Sequence, residues 1–137
     1  MAAVLAGEGV DMRRVVIGHS GDTTDLDYLC SLLATGAWLG MDRFGVEDRL
    51  PDALRVEVVA SLCKAGFAGQ LVISTDASYW SGRLTAEYKL RTRPNWSPTR
   101  IFEYVIPHLL EAGVREEDVE LMLVRNPRSI FTPDQPY

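Results

Sequence analysis

Three short apolar runs in this 137-residue chain each end on ionisable residues. His19, Ser20, Gly21 and Asp22 follow Val15-Val16-Ile17-Gly18. Asp42 and Arg43 follow Ala37-Trp38-Leu39-Gly40-Met41, and Thr75 and Asp76 follow Gln70-Leu71-Val72-Ile73-Ser74. Charge at the end of a buried strand is costly unless it is paired or metal-bound, so three cases together say more than any one. A neutral imidazole at His19 can bind zinc or another divalent ion, and Asp76 can add a carboxylate oxygen. His19 can equally hydrogen-bond the following turn and cap its helix, the commoner role for a lone histidine. Asp22 and Asp42 suit a general base and its partner, or simple acceptors for nearby N–H groups and Arg43. Arg43 is most economically an ion pair with the adjacent Asp42. Its functional use is to anchor an anionic or carbonyl group of a ligand.

The stretch from Thr75 to Trp96 holds Tyr79, Trp80, Tyr88 and Trp96. It reads as a long loop whose aromatics either wall a pocket for a small organic substrate or pack on the domain. His108 follows Pro107 inside a helical pattern and reads as structural. Cys30 and Cys63 also lie in helical patterns without partners at metal spacing. They read as buried free thiols in a reducing compartment. A Gly-rich phosphate loop, a CxxC pair, HExxH and GxSxG are all absent from the sequence.

The elements that position these residues alternate strand and helix. Each β-branched run is of the kind buried in a parallel sheet. The first is followed by a helix over 25–35, capped by Thr24 and stopped at Gly36. Asp52 caps a second helix to about Ala65, with Leu54, Val58, Leu62 and Ala65 on its buried face and Gly66 as its stop. Ser97-Pro98 opens a third as N-cap and N1, with Pro107 predicting a kink or break. A last helix runs from about Glu116 to Arg125 and stops before Asn126-Pro127. Residues 1 to 10 look like a helix leading into the first strand. Three βα units imply parallel strands joined by right-handed crossovers, an α/β fold.

Composition narrows the function classes. There are 14 Lys+Arg against 19 Asp+Glu, a formal charge of −5. An acidic chain without a basic block is a poor phosphate binder, so no nucleic-acid partner is expected. No apolar run approaches the roughly 18 residues of a membrane span, and the N-terminus lacks a basic region, so neither membrane nor export is expected. With 47% hydrophobic and 24% charged residues the chain reads as globular and cytoplasmic.

Taken in order, VVIGHSGDTTDLDYL (15–29), WLGMDRFG (38–45), LVISTD (71–76), NWSPTRIFEYVIPHLLEAGV (95–114) and VRNPRSIF (124–131) resemble the phosphotriesterase family of the amidohydrolase superfamily. DRFG and the EYKL…NWSPTRIF stretch look most like the phosphotriesterase-like lactonases. The resemblance covers essentially the whole chain. It implies a (β/α)8 (TIM) barrel with two divalent metals, commonly zinc, at the C-terminal ends of its strands. Such enzymes hydrolyse lactones, carboxylic esters or phosphotriesters with a metal-activated hydroxide. By resemblance His19 is a metal ligand on the sixth strand, and Asp76 a metal ligand and proton acceptor on the eighth. Asp22 relays the proton outward. Arg43 lines the substrate pocket, and the loop carrying Tyr79 and Trp80 shapes substrate preference. Thr75 departs from the pattern, since lactonase relatives usually carry His there.

The family's other ligands are an HxH pair on the first strand, a carboxylated lysine on the fourth and a histidine on the fifth. None has a counterpart here. The expectation is therefore a single partial domain over 1–137, the last three βα units of eight plus a C-terminal helix. Such a fragment self-associates or meets a missing N-terminal barrel half. The alternative is a non-catalytic remnant or a ligand-binding module.

Overall fold

The structure, a computed structural model, describes residues 2–78 and 85–132. Helix α1 (Ala2–Gly7) leads through a tight turn into strand β1 (Val16–Ile17). Then come α2 (Leu26–Leu33), β2 (Trp38–Met41), α3 (Asp52–Lys64) and β3 (Leu71–Ile73). The strands form one parallel sheet in the order β1-β2-β3. This is the alternating α/β arrangement expected from the three β-branched runs.

Register explains which strand residues are buried. Val16 lies opposite Trp38 and Ile17 opposite Leu39; Leu39, Gly40 and Met41 lie opposite Leu71, Val72 and Ile73. Paired residues share a face, and successive residues alternate. Ile17, Leu39, Met41, Leu71 and Ile73 therefore form one face, and all are buried. They pack with Leu29 and Leu33 of α2, Val59 and Leu62 of α3, and Val105, Leu109 and Met122 further along the chain. Each fully buried leucine in this layer contributes about 1.5–3 kcal/mol. The opposite face carries Val16, Trp38, Gly40 and Val72, and Val16 is 41% exposed.

The helices differ from their sequence reading in informative ways. Asp25, one residue after Thr24, caps α2 by accepting the Tyr28 N–H at 2.9 Å. Asp52 is the first helical residue of α3, after Pro51, and its carboxylate accepts from the Gly45 N–H and Arg100 rather than capping its own helix. The buried face of α3 is Asp52, Arg55, Val56, Val58, Val59 and Leu62, whereas Leu54 and Ala65 are exposed. Val58 and Leu62 are buried as expected, but the face is completed by Asp52, Arg55, Val56 and Val59, because a stripe traced through apolar residues only skips the buried charges. The stretch after β3 contains a helix, α4 (Ala86–Thr92), capped by Thr85.

Two prolines shape the C-terminal third. The helix expected from Ser97 starts at about Arg100 with a wide turn over 101–105, in which Ile106 N–H bonds Ile101 carbonyl. It continues as α5 (Ile106–Glu111), with Pro107 in its first turn. The pattern recurs after α6 (Glu116–Glu120). A wide turn over 121–125 precedes α7 (Asn126–Phe131), with Pro127 in its first turn. A proline cannot donate to the carbonyl four residues back, and the five-residue turn absorbs that missing bond. The last helix therefore does not stop before Asn126. The side chain of Asn126 is buried and donates to the carbonyls of Ala68 and Leu71 at 2.8 and 2.7 Å, tying α7 to the start of β3.

Candidate active site

All three residues of positive φ other than glycine, among the described residues, sit just past a strand end. They are His19 (φ 59°), Arg43 (φ 65°) and Asp76 (φ 51°). The left-handed region is uncommon for such side chains and is concentrated at functional sites. Each strand leaves the sheet and turns sharply at the residue singled out by its chemistry.

The partners are not those expected from neighbours in sequence. Arg43 does not pair with Asp42. Adjacent residues at a left-handed turn point apart, and Arg43 reaches Asp22 (Nη1 to Oδ2, 2.5 Å) and Asp76 (Nε to Oδ2, 3.7 Å). Asp42 turns back to the first strand end. Its Oδ2 accepts the His19 backbone N–H at 2.9 Å, and its Oδ1 lies 2.9 Å from His19 Nδ1. His19 begins a 3-10 turn over Ser20–Asp22 but makes no side-chain capping bond. The structure thus brings Asp22, Arg43 and Asp76 into one row of contacts and places His19 in a separate pair with Asp42.

Sequence reasoning missed Arg55. Its side chain is 0% exposed, and its Nη1 lies 2.8 Å from Asp22 Oδ1. Burial pushes the Asp22 carboxyl up, but the neighbouring charges of Arg55 and Arg43 and the Arg43 hydrogen bond outweigh it and hold it below the ordinary carboxylate value. The available signal was a cation inside an apolar helix stripe, between Asp52 and Val59 at i−3 and i+4.

The donor chemistry at His19 suits a metal ligand. A carboxylate only accepts, so Asp42 fixes the proton on Nδ1 and leaves the Nε2 lone pair free. The ring is 47% exposed and the Asp76 side chain 52%. Among the described residues no three His, Cys, Asp or Glu side chains converge on one point that could hold an ion.

Around this edge, Trp96 is half-buried and donates Nε1–H to the Thr75 carbonyl at 2.8 Å, while Tyr88 is exposed. Tyr79 and Trp80 lie outside the described residues. Cys63 and Cys30 are half-buried free thiols rather than fully buried ones. Burial pushes the Cys63 thiol up to about 11, so it is protonated at neutral pH. It lines a groove of about 870 Å³ between α3 and the α5–α6 connection, which contains none of the strand-end residues. His108 stacks on Tyr104 at 3.9 Å and bonds its carbonyl, a structural position. No helix among the described residues is long and apolar enough to cross a membrane.

The chain is similar to known proteins along nearly its whole length. The sequence profile of the phosphotriesterase family matches residues 1–131. A phosphotriesterase homology protein of Mycobacterium tuberculosis is 48% identical over 128 residues, covering 93% of this chain and 39% of that protein. The aryldialkylphosphatase of Saccharolobus solfataricus is 38% identical over 132 residues, covering 94% and 42%. Among solved structures, the phosphotriesterase from M. tuberculosis superposes with a TM-score of 0.94 at 46% identity, over 99% of this chain and 42% of that one. A mutant of a phosphotriesterase-like lactonase from Deinococcus radiodurans does so with 0.85 at 34%, over 96% and 42%. The chain spans about two fifths of the length of these relatives. Its three βα units are a partial (β/α)8 barrel of their type. With the family profile matching residues 1–131, and a relative 48% identical across nearly all of it, the chain belongs to the phosphotriesterase family.

Proposed function

We propose that these three units carry one side of the active site of a metal-dependent hydrolase that cleaves ester bonds in lactones, carboxylic esters or phosphotriesters. The observation that carries this is the row of left-handed strand-end turns presenting His19, Arg43 and Asp76, with Asp42 and Asp22 behind them. The aryldialkylphosphatase and lactonase names of the relatives support the same bond class.

In this reading His19 Nε2 and the Asp76 carboxylate help hold a divalent cation, zinc by preference, with the other donors lying outside the three units. When bound, the metal polarises the carbonyl or phosphoryl oxygen and lowers the pKa of water. Asp76 accepts the proton released during attack. Arg43 keeps Asp76 and Asp22 in line. Asp22, whose carboxyl Arg55 and Arg43 hold below the ordinary value, receives that proton in turn and readily gives it up to solvent. The outer edge of Arg43 orients an anionic or carbonyl group of the substrate. Tyr79 and Trp80 wall the apolar part of a small-molecule ester. The partner is a further set of barrel strands or a second copy of the chain, in a cytoplasmic, reducing setting that keeps both thiols free.

Zinc or cobalt titration of the chain, followed by NMR of the histidine ring, tests the reading. A single weakly held ion that shifts His19 and is lost in His19→Ala is expected. An unmoved His19 ring sinks it. Lactone and paraoxon assays on the isolated chain should show no turnover. Turnover with two zinc ions per chain would show that no outside donors are needed.

A further inference from the structure

Arg55 sits on α3, on the buried side of the helix, and is fully buried. A buried guanidinium is costly to desolvate, and an apolar residue of similar volume would fill the space without that cost. What an apolar residue cannot do is make the bonds that Arg55 makes. Its Nε donates to the Leu50 carbonyl at 3.2 Å and its Nη2 to the Val46 carbonyl at 3.4 Å. Its Nη1 donates to the carbonyls of Gly21 and, at 3.4 Å, Asp42. The same Nη1 lies 2.8 Å from Asp22 Oδ1, an ion pair in which no N–H is aligned on that oxygen. One planar group therefore spans the turn after β1 and the loop after β2. Residue 21 is compatible with this only as glycine or with local yielding: a Cβ there would lie 3.2 Å from the Asp42 carbonyl oxygen and 3.4 Å from Nη1.

We infer that Arg55 is the positioning residue of the strand-end site: its guanidinium locks the Gly21–Asp22 turn to the Asp42–Leu50 loop and fixes the Asp22 carboxylate against Arg43. Arg55 touches no substrate in this arrangement. It acts through Asp22, Arg43 and, along the row, Asp76. A lysine has one point charge and no fork, so it can keep the ion pair or the carbonyl bonds but not both. The inference rests on the reading of Asp22 as part of a hydrolase site, but its geometry and its test stand without hydrolysis.

The test is the carboxyl ¹³C titration of Asp22 in the intact chain, compared with thermal unfolding. In Arg55→Met the Asp22 titration should move upward, because burial is then opposed by Arg43 alone. Arg55→Lys should bring it part of the way back. Arg100→Met, which breaks another buried ion pair of the same helix, should lower the melting temperature and leave the Asp22 titration in place. An Asp22 titration unchanged in folded Arg55→Met, or moved equally by Arg100→Met, overturns the inference. Should Arg55→Met fail to fold, Asp22→Asn tests the pair from the other side. The Arg55 guanidinium ¹⁵N–¹H signals should shift, and signals that stay in place overturn it. None of these readouts depends on turnover, so a failed lactone assay and a failed positioning role are separate results.

Discussion

The sheet has two seams, and both are closed by an arginine and an aspartate from different elements. Between β1 and β2, Arg55 of α3 meets Asp22, and Asp22 also meets Arg43 at the open edge. Between β2 and β3, Asp52 of the same helix meets Arg100 (Nε to Oδ2, 2.8 Å) and accepts the Gly45 N–H at 2.8 Å. The Arg100 guanidinium also lies 3.9 Å over the Tyr104 ring. The two buried charges lie one helical turn apart, so the first turn of α3 anchors all three strand-end loops. The seams differ in where the chain of contacts leads. The first ends on Asp76, half-exposed past the end of β3, the second on the Tyr104 ring and, at 3.8 Å, the exposed Glu47 carboxylate of the loop after β2. The same pair of side chains thus builds the edge proposed as reactive in one place and a fastener in the other, and the elements they join decide which.

The largest effect should come from breaking the fastener. Arg100→Met leaves a fully buried Asp52 carboxylate with only the Gly45 N–H, and the loss should be about 3–5 kcal/mol in urea unfolding. A loss below about 1 kcal/mol would mean that Asp52 is rehydrated and that the second seam is looser than drawn. Next is Gly45→Ala. Gly45 has φ +91°, and a Cβ there would run into the backbone of Asn95 and lie 2.7 Å from the Trp96 Cα. Strain at one such position costs about 1–3 kcal/mol, and here the loops after β2 and β3 must also part. Neither variant should disturb the His19 ring signals, because the first seam shares no bond with either residue.

The difference between the seams also shows what could be read in the sequence. The strand runs were legible because β-branched residues recur with turn signals after them, and their ends marked His19, Asp22, Arg43 and Asp76. The pairing was not legible. Asp42 and Arg43 are adjacent in sequence, yet a left-handed turn at Arg43 sends one to His19 and the other to Asp22. Arg55 stayed hidden because a helix stripe traced through apolar residues skips a charge, although the charge lies on the buried side. Pro107 and Pro127 signalled a disturbance but not its form, since a kink, a break and a five-residue turn all accommodate a missing N–H. Helix α4 was hidden because 86–92 carries no apolar stripe to bury: none of its residues is buried.

A smaller effect tests the reactive edge. Asp42→Asn removes the carboxylate that sets the His19 tautomer while keeping nearly the same shape. An amide can present its N–H to Nδ1 and so tolerates the proton on Nε2, the nitrogen proposed to hold the metal. Divalent ion binding at His19 should weaken by about tenfold or more, with little change in unfolding free energy. Equal ion binding in Asp42→Asn would show that the second strand end does not set up the first.

The smallest effect follows from acid. The folded Asp22 carboxyl sits below its ordinary value, so Asp22 contributes stability that is fully present above the unfolded value of about 4. That contribution is lost as pH falls through the folded value, where the carboxylate protonates and Arg55 and Arg43 lose their counter-charge. Asp11, Asp48 and Asp118 are lowered by their own arginines and add to acid unfolding, so the whole-chain curve does not isolate Asp22. The informative quantity is the difference in unfolding free energy between the wild-type chain and Asp22→Asn. It should favour the wild type near neutral pH and shrink steadily below about pH 4. A difference that stays constant, or grows, as pH falls would mean that Asp22 is not held ionised by the two arginines. The two seams would then be fasteners of one kind, and the distinction between edge and interior would rest on His19 and Asp42 alone.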